Sequence, residues 1–141
     1  MTRINLVPPE ELMDQHLFAE FREIKMVPKS LRRSIAARGR ADVLRKVPAA
    51  YTLNTGHVSF FYDKGAYLRK RYEALKAELL RRGFNFNQDS PLDPDGMYAA
   101  YSEFDNDYDP TPEALAIIQT RIAEKIALKP HWYRHEGKPI I

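Results

Sequence analysis

Cysteine is missing altogether from the 141 residues, which excludes disulfides and thiolate metal sites and fits a reducing cytosol. The four histidines show no paired metal-ligand spacing, so no zinc site and no cofactor are expected. A glycine-rich phosphate loop is also absent, and no internal repeat is visible. No apolar run approaches the ~20 residues that a spanning helix needs. The first residues lack the charged-then-apolar pattern of a signal peptide. The expectation is a soluble, cytoplasmic protein, bacterial or made in a virus-infected host cell, with no membrane partner. Residues 85–110 contain no Lys or Arg at all, yet carry seven acids: Asp89, Asp93, Asp95, Glu103, Asp105, Asp107 and Asp109.

That local absence changes the meaning of a net charge of +3. Of 22 basic and 19 acidic residues, the remaining 115 positions hold 22 bases and 12 acids, a net of +10. A body so basic suits a polyanion, although charged helix faces also serve ordinary solubility. Length and 44% apolar content fit one globular domain over residues 1–141.

Hydrophobic spacing predicts an all-α fold: a single compact domain of three main helices with long connecting loops. Pro8-Pro9-Glu10-Glu11 reads as a helix start, and Met13, Leu17, Phe21 and Ile24 recur at helical spacing to about residue 25. Pro28 should kink or stop that helix. Helical pattern resumes through Leu31 and Ile35, with Arg32, Arg33, Arg38 and Arg40 facing out and Gly39 as an end. Residues 41–57 read as a connector with a helical turn at 41–46. Val58 to Tyr62 fits a short strand or a buried lead-in to the next helix. That helix runs from Asp63 or Lys64 to Arg82, with Leu68, Tyr72, Leu75 and Leu79 as its buried stripe and Gly83 as its cap. Residues 84–110 read as a long loop. Thr111-Pro112-Glu113 opens the last helix, whose apolar stripe is Leu115, Ile118, Ile122 and Ile126. Pro130 ends it.

Candidate chemistry sits at the start of the chain. Removal of Met1 would leave Thr2 with a free α-amine, whose pKa is roughly 7.7–8.0 against about 10.4 for lysine. A neutral primary amine attacks electrophilic carbon and forms an imine, as a Schiff-base lysine does. His16 and Glu23 lie two turns apart on one side of the first helix, beside its core face. Glu23 could serve that amine as a carboxylate or be a solvated partner of Arg22 or Lys25. His16 could line a site or be a boundary histidine. Arg121 and Lys125 form an i, i+4 pair that is either solvated or near a nucleic acid. Trp132 and Tyr133 either cover the core or stack on bases, for ~1–3 kcal/mol each.

Thr2-Arg3-Ile4-Asn5-Leu6, Asp14-Gln15-His16-Leu17, Glu20-Phe21-Arg22-Glu23, Gly56 through Lys64, Leu68-Arg69-Lys70-Arg71, Arg82-Gly83-Phe84-Asn85 and Trp132-Tyr133 together resemble the pyrimidine-dimer DNA glycosylases, the phage endonuclease V family. The resemblance covers nearly the whole chain in one order. It implies a base-excision enzyme for cyclobutane pyrimidine dimers in double-stranded DNA that also acts as an abasic-site lyase; a monomer is expected. Thr2 matches the family's nucleophile and Glu23 its essential carboxylate. Arg3, His16 and Arg22 match groups that line the site, and Arg121 and Lys125 fall where the family places basic residues near the reacting strand. One departure stands out. Where the family carries an arginine three residues after the glutamate, this chain has Met26, with Lys25 beside it as a substitute charge. Two other readings stay open: a non-catalytic basic helical DNA-binding protein, and a lyase or glycosylase for another DNA lesion.

Overall fold

The computed structural model describes residues 3–141. Its helices are α1 (Asp14–Glu23), α2 (Met26–Arg38), α3 (Arg40–Arg45), α4 (His57–Phe60), α5 (Gly65–Arg81), α6 (Met97–Ala100) and α7 (Pro112–Leu128). Because only Ile24 and Lys25 separate α1 from α2, the long helical stretches are three: α1–α2, α5 and α7. The expected all-α domain is therefore what forms. The α1–α2 break has the expected cause. Pro28 has no N–H to give to the Ile24 carbonyl, and its ring crowds that oxygen. The Ile24 carbonyl accepts from Val27 N instead, at 3.2 Å.

The stripe Leu68, Tyr72, Leu75 and Leu79 of α5 is buried against Leu17 and Phe21 of α1, with Phe21 and Tyr72 stacked 5.3 Å apart. Gly83, at φ 82°, closes α5 by letting Gly83 N reach Leu80 O and Phe84 N reach Leu79 O. At the other end of the chain, the Thr111 hydroxyl accepts from Ala114 N at 3.0 Å and Pro112 occupies the first turn of α7.

Three local expectations change. Pro9–Glu11 forms a separate 3-10 turn, and α1 starts only at Asp14, after an extended Leu12 and Met13. Arg82, whose side chain is fully buried, takes the Pro9 and Glu10 carbonyls at 3.3 and 3.1 Å, and His135 Nε2 lies 2.9 Å from the Glu10 carbonyl. A continuous helix would have used those carbonyls internally. Val58 to Tyr62 lies within and just after α4, a single helical turn, so the lead-in reading holds and the strand reading does not. Residues 84–110 are more ordered than a loop, containing α6 and a 3-10 turn at Ser102–Phe104 with Phe104 fully buried.

The tail adds a small antiparallel hairpin, β1 (Arg134–His135) and β2 (Lys138–Pro139), turning at Glu136 and Gly137 with φ of 52° and 80°. Two successive positive φ values are what a two-residue hairpin turn needs. Asp14 holds the turn by accepting from Glu136 N at 3.0 Å and Gly137 N at 2.8 Å.

Candidate active site

The segment that enters the site is held by hydrogen bonds at Ile4, Asn5 and Val7, with Leu6 buried between them. Ile4 N donates to His57 Nε2 at 2.9 Å, and the Tyr51 hydroxyl donates to Ile4 O at 2.8 Å. Asn5 donates to Glu20 Oε1 twice, from its backbone N at 3.1 Å and from Nδ2 at 2.9 Å. Arg71 joins the same carboxylate at 2.6 and 3.0 Å and donates onward to Val7 O. Between these anchors Leu6 adopts φ 62°, in a tight turn closed by Val7 N on Asn5 O at 2.6 Å. A left-handed leucine costs roughly 1–2 kcal/mol, so the surrounding bonds and the burial of Leu6 must hold it there. All of these groups are buried, and a polar group out of water is stable only when it is bonded.

The grip delivers Arg3 to a cleft of about 380 Å³. On α1, His16, Ala19 and Glu23 line one wall at helical spacing. On α7, Ile118, Arg121, Ile122 and Lys125 line another. Trp132 and Tyr133 close the end. Gln15 fixes them, donating to Trp132 O at 2.7 Å and accepting from Arg134 N at 3.1 Å. The two aromatics differ: Tyr133 is buried and meets the His16 ring at 4.8 Å with the planes tilted by 35°, whereas Trp132 is 56% exposed.

The cleft continues on both sides. A hollow of about 720 Å³ shares Arg3 and Arg121 with it and runs along Tyr51–Asn54 and Thr120. Another, of about 490 Å³, shares Gln15, Ala19 and Trp132 and adds Arg22 and Arg134. The structure thus brings Arg3, His16, Glu23, Arg121, Lys125, Trp132 and Tyr133 into one cleft and leaves Arg22 next door. Lys25 is placed elsewhere. Its ammonium donates to Ser90 Oγ at 2.7 Å and lies over the Phe21 ring. Met26 is 47% exposed. Thr2, the expected nucleophile, lies outside the described residues.

Charge in the cleft is crowded. Arg3 sits below its ordinary pKa, chiefly through partial burial and then through Arg121, while Glu23 pulls the other way. Burial also pushes His16 down, with Glu20 opposing and Lys125 adding to the shift. His16 Nδ1 is buried with no hydrogen-bond partner among the described residues. The neutral imidazole therefore keeps unused hydrogen-bonding capacity beside two cations and a carboxylate.

Glu20, Arg71, Tyr51 and Gln15 do not stand out as site residues in the sequence. A signal for two of them existed. Glu20 falls among Leu17, Phe21 and Ile24 on the core face of α1, and Arg71 falls among Leu68, Tyr72 and Leu75 on that of α5. A lone charge on each of two facing apolar stripes is the pattern of a buried pair.

The family described as pyrimidine dimer DNA glycosylase matches residues 1–92. The matched part includes α1 to α5, the gripped segment and Glu23, while α7 and the aromatic tail lie beyond it. With about two thirds of its length covered by this match, the chain belongs to the pyrimidine dimer DNA glycosylase family.

Proposed function

We propose that the protein excises cyclobutane pyrimidine dimers from double-stranded DNA through an imine formed by the α-amine of Thr2, and then nicks the strand as an abasic-site lyase. The observation that carries this reading is that Arg3, covalently next to Thr2, is held in the same cleft as Glu23 by bonds to Ile4 and Asn5. Basic residues bind the backbone without sequence preference. The lesion weakens the duplex, so deformation and base flipping cost least there. The amine attacks C1′ of the dimer's 5′ sugar, and the C1′–N bond breaks with its electron pair leaving on the base. Glu23, as a carboxylate, stabilises the positive charge developing on the sugar, takes the proton that the amine sheds after bonding C1′, and gives it to the ring oxygen as the sugar opens to the imine. Loss of a C2′ proton then expels the 3′ phosphate by β-elimination, and water releases the amine. Arg3 and Arg22 anchor flanking phosphates, Arg121 and Lys125 flank the reacting strand, and Trp132 offers a stacking face. The enzyme works as a monomer without a cofactor.

Borohydride reduction tests this directly. Wild type should cross-link to dimer-containing DNA, and a form with an N-terminal extension should not; equal cross-linking would remove the amine from the mechanism. Glu23→Gln should bind dimer DNA yet cut poorly. A second reading, a glycosylase or lyase for a different lesion, draws on Met26 and on the engagement of Lys25 with Ser90. Preference for abasic or otherwise damaged oligonucleotides over dimers would favour it. Binding of irradiated plasmid without strand breakage would favour a non-catalytic DNA binder.

A further inference from the structure

His57 lies 53 residues from Ile4 in sequence, yet bonds its backbone. Its ring is buried and both ring nitrogens are used. Nδ1 lies 2.7 Å from Thr52 O, and a carbonyl can only accept, so Nδ1 carries the hydrogen. Nε2 is then bare in the neutral ring and accepts the Ile4 N–H at 2.9 Å. An imidazolium has a hydrogen on both nitrogens and would set one N–H against the other. The contact therefore exists in one protonation state and one tautomer.

We propose that His57 is a positioning residue for the amine step: as its neutral Nδ1–H tautomer it fixes Ile4, and through Ile4 the start of the chain, at the cleft. This rests on the imine reading given above. The groups facing the ring from the packed elements are Arg3 of the N-terminal segment, Glu20 of α1 and Tyr51 of the connector, whose ring meets it edge-on at 5.3 Å; Phe61 adds an uncharged face. Burial holds the imidazole below its ordinary pKa, with Arg3 acting in the same direction and the Thr52 carbonyl and Glu20 opposing. The ring therefore stays neutral through the physiological range. As pH falls through its lowered value it gains a proton and lets Ile4 go. An activity needing both a neutral amine and a neutral His57 then loses rate with two protons rather than one.

Two variants test the assignment. His57→Phe fills the space but cannot accept from Ile4. His57→Gln keeps an acceptor near the Nε2 position and cannot titrate. Each is compared with wild type in single-turnover borohydride trapping on abasic-site DNA, in affinity for that DNA without borohydride, and in thermal unfolding. A misplacement of about 1 Å costs about 100-fold in rate, so His57→Phe should lose trapping rate on that order while its DNA affinity stays within about threefold. His57→Gln should recover most of the rate near neutral pH, and as pH falls through the lowered His57 value its log rate should fall with one proton where wild type falls with two. Trapping by His57→Phe at the wild-type rate would overturn the positioning role. So would a His57→Gln acid limb as steep as that of wild type, which decides the matter even if His57→Phe fails to fold. No trapping in wild type would overturn the imine reading itself and this assignment with it.

Discussion

Glu20 and Glu23 are the same side chain one turn apart on α1, in opposite situations. Glu20 is 1% exposed, and its two oxygens are occupied by Asn5 and Arg71. It holds Asn5 in place, and its fully buried side chain is closed to a substrate. Glu23 is half-buried and lines the cleft. Removing one partner of a buried pair leaves an uncompensated charge, at a cost of about 3–5 kcal/mol. Arg71→Met should lose about that much in urea unfolding, and Glu20→Gln added to it should restore part of the loss. A loss under about 1 kcal/mol would show that the pair is not the anchor. The contrast also shows how far single residues were legible. His16 and Glu23 stand at the edge of an apolar stripe, where a polar residue suggests a cleft. Glu20 stands inside the stripe, and its role shows only when it is set against the matching lone charge on the α5 stripe, Arg71, 51 residues away.

Among the elements, α5 and α7 were readable because caps and periodicity agree: Gly83 ends one, and Thr111-Pro112 begins the other. The tail hairpin was missed although Glu136-Gly137 is a turn signal, because its strands are two residues long and carry no alternation. What docks 84–110 was also hidden, since it depends on the bare Cα of Gly65. A Cβ there would stand 2.4 Å from Tyr98 Cδ1 and 2.6 Å from Asp105 Oδ1. Gly65→Ala should therefore cost roughly 1–3 kcal/mol of overpacking and speed hydrogen exchange at Tyr67 N, which bonds Asn106 O at 3.3 Å. Unchanged stability and exchange would mean that the segment docks by other contacts. At the far end of α5, hydrogen bonds from Arg81 and Arg82 pull the Glu78 carboxyl from 4.5 down to about 2. A lowered carboxyl pKa contributes stability that is complete above the unfolded value and is lost as pH falls through the folded one. The urea midpoint of wild type should thus decline between about pH 4.5 and pH 2, and Glu78→Gln should flatten that decline; parallel curves would remove Glu78 from acid unfolding.

On the scale of the molecule, the acids of 85–110 give the surface a sidedness. Asp95 meets Arg32, Glu103 meets Arg40, Asp105 meets Arg69 and Asp107 meets Lys70. The cleft and its flanks keep Arg3, Arg22, Arg121, Lys125 and Arg134. The composition announced both halves of this division, an acidic stretch and a basic remainder, but which cations it would neutralise is set by packing. Neutralising the acids in Glu103→Gln, Asp105→Asn and Asp107→Asn together should expose cations away from the cleft. Binding to undamaged duplex should tighten, and the slope of log affinity against log salt should steepen by up to ~0.9 for each new phosphate contact. Dimer cleavage should not gain. Unchanged binding to undamaged DNA would show that these pairs do not shape the approach of the polyanion.

The groups that grip Ile4 to Val7 also fix an order of events at the ribosome. Tyr51 is made 47 residues after its partner Ile4, and Arg71 is made 64 residues after Val7. At ~5–20 residues per second the second interval lasts about 3–13 s. The first part of the chain to be synthesised is therefore among the last to be seated: Ile4 to Val7 wait that long for the partners that hold them.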